Sequence, residues 1–230
     1  MSNAYAVFKQ HKFYFGGLII SLFAAIVFLL ACGKEYSFLS LNSYHPFYLN
    51  VFFINYTFMG DGIFAICLIG LMFFYFRNKH RGLALLYSFL LSGLVTQLLK
   101  NLISSPRPRL YFEPGTYLYF IDDVTLSGSS GFPSGHTATA FAIATVMILM
   151  MRNKQLQVLI LMAALLVGYS RIYLAQHFLL DVIVGAAIGS IAAIPAVYLA
   201  QNRVSFKRSI RSMHSLPQNT IQPVPGIQSA

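Results

Sequence analysis

Apolar residues in this chain come in long runs broken by short polar clusters. Six runs stand out, at roughly residues 13–32, 52–76, 82–103, 134–151, 156–175 and 178–200. A bilayer core takes about 20 apolar residues as helix, and a segment there must pair its own backbone groups. The pattern therefore predicts an all-α polytopic membrane helix bundle with six transmembrane helices. The joins at 77–81 (Arg77-Asn-Lys-His-Arg81) and 152–155 are short, which implies antiparallel neighbours. Pro195 is expected to kink the last span near its inner end. Residues 1–200 read as one membrane domain. Residues 201–230 read as a tail, basic at first and then, from Leu216, expected to be disordered.

Composition agrees with the pattern. The chain is 57% hydrophobic and only 10% charged, whereas soluble domains are about a quarter charged. No internal repeat is visible. Cys32 and Cys67 lie in or beside apolar runs and read as buried small hydrophobes, with no disulfide framework or zinc spacing. Tyr14–Cys32, following Lys9 and Lys12, could imitate a secretory leader. Its 19 residues exceed the usual apolar stretch of such a leader and no small-x-small site follows, so it is expected to stay as a span.

The net charge of +10 is a topology signal. With the N-terminus cytoplasmic, the inner side carries Lys9, Lys12, Arg77, Lys79, Arg81, Arg152, Lys154, Arg203, Lys207, Arg208 and Arg211, and no acid. The outer side receives Lys34, Lys100, Arg107, Arg109 and Arg171 with all six acids: Glu35, Asp61, Glu113, Asp122, Asp123 and Asp181. Both termini are therefore expected to be cytoplasmic. A nucleic-acid partner would need a soluble basic face, which is missing. Asp61 falls near the outer interface and reads as a polar cap or structural partner, ahead of a catalytic group. Arg109 is expected to contact headgroups or loop acids.

In this orientation three polar clusters share the outer side. Lys100 ends span three and Arg107 follows it. Pro133-Ser134-Gly135-His136 opens span four. Ser170-Arg171 closes span five, and His177 and Asp181 open span six. A helix start with a glycine offers free N–H groups to an anion, and Ser134 could cap that helix or donate to a phosphate. His177 and Asp181, four apart, share a helix face. A carboxylate there can fix the imidazole tautomer and leave the other nitrogen nucleophilic. A helix-end ion pair or half a metal site would use the same two residues. Lys100, Arg107 and Arg171 suit phosphate, although snorkelling alone would explain Lys100. Together these groups fit phosphoryl transfer without a metal: His177 attacks, His136 protonates the leaving oxygen, and cations hold the equatorial oxygens.

Lys100…Arg107-Pro108, Pro133-Ser134-Gly135-His136 and Ser170-Arg171…His177…Asp181 resemble, at every motif position, the three signature motifs of the type 2 phosphatidic acid phosphatase superfamily. The resemblance implies catalytic His177 (through a phosphohistidine), His136 (the general acid) and Asp181. It implies phosphate binding by Lys100, Arg107, Ser134, Gly135 and Arg171, with no cofactor and no metal. Membrane members mostly act on phosphatidic acid, phosphatidylglycerophosphate, undecaprenyl diphosphate or lipid A. The expected protein is an integral enzyme of a bacterial inner membrane, its site facing the periplasm or exterior and its partners the bilayer and a lipid phosphate. A lipid-to-lipid phosphotransferase and a non-enzymatic lipid-binding or transport protein are the alternatives. The aromatics of the 104–132 loop (Tyr111, Phe112, Tyr117, Tyr119, Phe120) are expected to cover helix ends, ahead of shaping a headgroup pocket.

Overall fold

The apolar runs fold as helices. In the computed structural model, which describes residues 4–113, 119–121, 124–126, 128–151 and 153–214, the order is α1 Ala4–Gln10, α2 Lys12–Leu41, α3 Phe47–Tyr56, α4 Gly62–Gly70, α5 Lys79–Leu102, α6 Pro108–Tyr111, α7 Gly135–Leu149, α8 Lys154–Tyr173 and α9 Leu179–His214. A 3-10 turn, Thr57–Gly60, joins α3 to α4, and a π turn, Leu71–Tyr75, follows α4. Among the described residues the only strand-like pairing is an isolated bridge between Ser105 and Ser130.

Four helices are long and apolar enough to cross a membrane: α2, α5, α8 and α9 to Arg203. The expected straight span 52–76 is instead a bent pair, Phe47–Gly60 with Gly62–Tyr75, turned by 55° at Asp61. Gly60-Asp61-Gly62 is the cause: glycine weakens the helix on both sides, and Asp61 adopts an extended backbone (φ −75°, ψ 151°) while its side chain caps α4 by accepting from Ile63 N. The expected span 134–151 is α7, only 15 residues long. At about 1.5 Å per residue that falls short of a hydrocarbon core about 30 Å thick. Helix α9 continues through Pro195 and the basic stretch after residue 200 to His214. The disorder expected from Leu216 lies outside the described residues.

Helix α7 is the centre of the bundle. Thr137 to Val146 are all buried, and α9, α5 and α8 pack around it. Its small side chains (Ala138, Ala140, Ala142, Ala144) admit close neighbours, as membrane helices without a hydrophobic drive toward one another require. Facing it, α9 presents Gly185 and Gly189. A Cβ on Gly185 would stand 2.6 Å from the Ser134 carbonyl oxygen, and one on Gly189 would stand 2.1 Å from that of Ala138. Tyr14 OH meets Thr145 Oγ1 at 2.8 Å, tying α2 to the same centre. The large apolar side chains left exposed, such as Ile20, Leu30, Leu94, Leu159 and Ile191, lie on the outer helices. Cys32 is half-buried, and Cys67 is on the exposed surface of α4, not inside the protein.

Candidate active site

The end of the bundle where α5 and α8 finish and α7 and α9 begin gathers all three clusters. Ser134 opens α7 with a side chain fully buried: its Oγ accepts from Thr137 N at 3.4 Å and from Thr137 Oγ1 at 2.8 Å. It is thus the N-cap, and those two bonds leave its own hydroxyl proton uncommitted. A Cβ on Gly135 would meet only Thr96 Cγ2, at an ordinary 3.9 Å. Protein packing therefore does not demand glycine there.

Helix α8 ends at Tyr173, and the chain reverses through Ala175, whose φ is +50°. The amides of Gln176 and His177 turn back onto the Arg171 carbonyl at 2.9 and 3.1 Å. That turn holds Arg171 and His177 at a fixed separation. It is anchored from outside by Asn42, whose Nδ2 donates to the carbonyls of Ile172 (2.7 Å) and Tyr173 (2.6 Å). The His45 ring packs on Tyr173 at 4.2 Å between centroids.

His177 is buried, 2% exposed, and its Nδ1 lies 2.5 Å from the Gly131 carbonyl oxygen. Asp181 Oδ2 stands 3.5 Å from the same nitrogen and accepts instead from Phe178 N at 2.9 Å. The expected direct carboxylate–imidazole hydrogen bond is therefore replaced by a backbone carbonyl from the preceding loop, with the carboxylate as a near, unbonded charge. Both expected members of the pair are in place; the acceptor that fixes the tautomer is a third group. With Nδ1–H donating to Gly131, Nε2 carries the lone pair. Burial first, then Arg171, Arg107 and Lys100, holds the His177 imidazole well below its ordinary pKa, so it is neutral at neutral pH.

Gly131 is held where the 104–107 segment meets 128–131. Ser105 N donates to Ser129 O at 2.9 Å, Gly131 N to Ser105 O at 2.8 Å, and Arg107 N to Gly128 O at 2.9 Å. Lys100 Nζ reaches Ser130 O at 3.3 Å. Arg107, 8% exposed, donates through Nη1 to Gln176 O at 3.2 Å and Gln176 Oε1 at 3.0 Å. Burial lowers its guanidinium pKa and Asp181 partly offsets this. Arg171 Nη1 donates to Thr57 Oγ1 at 2.6 Å. Arg171 Nε and Thr96 Oγ1 are buried with no hydrogen-bond partner among the described residues. His136, at the first turn of α7, has Nε2 3.5 Å from Asp61 Oδ2.

All eight sequence-predicted residues thus meet at one end of the bundle. Gly131, Gln176, Thr57 and the His136 side of Asp61 were not predicted. The break Gly60-Asp61-Gly62 within an apolar run was the available signal for the last. Arg109 donates to Thr125 O at 3.1 Å; its expected loop-acid partners Asp122 and Asp123 are not among the described residues. Phe112 stacks on Phe38, and Tyr111 packs edge-on against Phe178, so these aromatics cover helix ends. Tyr117, Asp122 and Asp123 lie outside the described residues.

Comparison with known proteins follows the same lines. A family model described as the PAP2 superfamily matches residues 81–205. The chain is 34% identical over 161 residues to the lipid A 4′-phosphatase of Porphyromonas gingivalis, covering 67% of each protein. It is 28% identical over 158 residues to the enzyme of the same description from Bacteroides thetaiotaomicron, covering 66% of this chain and 69% of that one. Among solved structures, Aquifex aeolicus LpxE superposes with a TM-score of 0.63 at 31% identity, over 72% of this chain and 94% of that one. The PAP2-type phosphatidylglycerolphosphate phosphatase of Bacillus subtilis gives 0.55 at 26% identity, over 83% and 96%.

Proposed function

This chain belongs to the PAP2 superfamily and is an integral membrane phosphatase acting on lipids, and on that premise we propose that it removes a phosphate from a lipid headgroup through a phosphohistidine at His177. The observation that carries the reading is the buried guanidinium of Arg171, its Nε without a hydrogen-bond partner among the described residues, set with Arg107 and Lys100 around the neutral imidazole of His177. Buried cations that pair with no carboxylate among the described residues suit a dianionic ligand.

In this reading Arg171, Arg107, Lys100, the Ser134 hydroxyl and the Gly135 amide hold the phosphate oxygens. The lone pair of His177 Nε2 attacks phosphorus as the P–O bond to the lipid breaks, and His136 gives its proton to the departing oxygen. The ring then carries phosphate on Nε2, a proton on Nδ1 and a positive charge, which the nearby Asp181 carboxylate stabilises. Water, deprotonated by His136, attacks phosphorus next. The P–N bond breaks and returns its electron pair to Nε2, and inorganic phosphate leaves. Every step uses groups of the chain, and no metal is required.

The proposed topology has six crossings, with the bent α3–α4 pair and short α7 completing the four long helices. Both termini are cytoplasmic and the site is at the outer face of a bacterial inner membrane. The basic residues at the opposite end support this orientation. Lipid A 4′-phosphate heads the substrate panel because two relatives carry that description. Phosphatidylglycerophosphate, phosphatidic acid and undecaprenyl diphosphate follow. The test is phosphate release from each in detergent, with and without EDTA. The expected result is EDTA-resistant release from at least one, absent in His177→Ala; unchanged release in that variant would contradict the reading.

A further inference from the structure

Beyond the three clusters, a fourth segment reaches the site. The break between α3 and α4 touches it three times within five residues. Thr57 Oγ1 accepts from Arg171 Nη1 at 2.6 Å. Gly60 lies so close that a Cβ would stand 2.7 Å from the His136 carbonyl oxygen and 3.0 Å from the His136 Cβ. Asp61 Oδ2 lies 3.5 Å from His136 Nε2, while its Oδ1 accepts from Ile63 N at 2.7 Å. The carboxylate is thus anchored by one oxygen at the head of α4 and turned by the other toward the imidazole.

The charges facing His136 explain why that matters. Arg171 from α8, Lys100 from α5 and Arg107 from the following loop all act on the ring, and Asp61 is the carboxylate that opposes them. Cations around an imidazole oppose its taking up a proton, and a neutral imidazole is a poor acid. A leaving alkoxide needs a proton in the first step. A site built from cations to hold phosphate therefore works against its own acid unless one anion is placed beside that acid.

We propose that Asp61 is a positioning residue for His136: its carboxylate, 3.5 Å from Nε2, orients the ring, offsets the phosphate-binding cations when the ring carries a proton, and aims the other nitrogen at the leaving oxygen. The inference rests on the phosphatase reading, since it concerns the acid of that reaction. No new bond forms at Asp61. The proton passes from His136 to the lipid oxygen, and is regained from water when the phosphohistidine is hydrolysed.

Asp61→Asn separates this role from capping, because asparagine caps a helix about as well as aspartate. With a lipid alkyl phosphate, Asp61→Asn is expected to lower kcat by about 10- to 100-fold with KM within about 3-fold, and to move the alkaline limb of the kcat profile to lower pH. With a nitrophenyl phosphate, whose leaving group departs unprotonated, kcat is expected to fall by less than about 3-fold. Asp61→Glu should recover part of the loss. A ring titration of His136 by NMR in detergent micelles reads the pair without turnover, and its midpoint should fall in Asp61→Asn. Equal loss on both substrates, or an unmoved midpoint, would overturn the proposal. A wild type inactive on every phosphate would count against the phosphatase reading, and the titration would still decide the Asp61–His136 pair.

Discussion

The amide of Ser134 donates to the carbonyl of Asp181 at 3.0 Å, so the start of α7 is bonded directly to the start of α9. Two of the three clusters are thereby one rigid unit, and the close approach of α7 and α9 below them permits it.

That approach predicts where the fold will not yield. In Gly189→Ala the new Cβ would meet the backbone of Ala138 at 2.1 Å, and backbone cannot turn aside. Forced separation of two packed helices is expected to cost about 1–3 kcal/mol and to lower activity with it. Gly93→Ala, with nothing within 4 Å of the new atom, should stay within about 0.5 kcal/mol. Thermal midpoints of both variants in detergent check this.

Asp181→Asn and His177→Ala should differ in degree. Gly131 still fixes the His177 tautomer when Asp181 loses its charge, and asparagine can still accept from Phe178 N. Asp181→Asn is therefore expected to lower kcat by about 10²-fold, through weaker support of the charged phosphohistidine, whereas His177→Ala should lose about 10⁴-fold or more. Equal losses, measured as kcat on one substrate, would mean that the carboxylate and not the carbonyl orients the ring.

Arg171→Lys keeps a charge but loses the planar fork that meets Thr57 and presents Nε. Its kcat/KM should fall by about 10²-fold, with weaker inhibition by inorganic phosphate. Thr57→Val, which removes only the outer partner, should cost less on both measures.

The pH dependence follows from His177, held well below the usual imidazole pKa by burial and the three cations. The nucleophile stays neutral well into the acid range, so the acid limb of kcat/KM should lie below about pH 6.5, the ordinary imidazole value. Stability moves with the same sign. Below about pH 6.5 the unfolded ring binds a proton that the folded ring refuses, so stability is lost as pH falls through that value. His177→Gln should flatten the fall of the thermal midpoint over about one and a half pH units below the unfolded pKa of about 6.5.

Much of the site was legible because charge is costly in an apolar chain, so Lys100, Arg107, Arg171, His136, His177 and Asp181 stood out by type and spacing. The helices were legible for the same reason. Gly131 was not, because a carbonyl that acts through its backbone leaves no mark in side-chain chemistry. Asp61 was placed near the outer interface as a cap, which it is. Its second contact, to His136, depends on a 55° bend that length and composition do not specify. Helix α7 read as a span on its apolar content, but its alanines and threonines serve burial among α5, α8 and α9. Small residues mark a helix centre as well as a lipid crossing.

The central claim is that phosphate passes through His177 Nε2. Rapid acid-free quenching of the wild type during turnover of phosphate-labelled substrate, followed by peptide mapping, tests it most directly. The account predicts a base-stable, acid-labile label on the peptide holding His177, lost in His177→Ala and accumulating when water attack is slowed. Label on another residue, or steady turnover in His177→Ala, would contradict it.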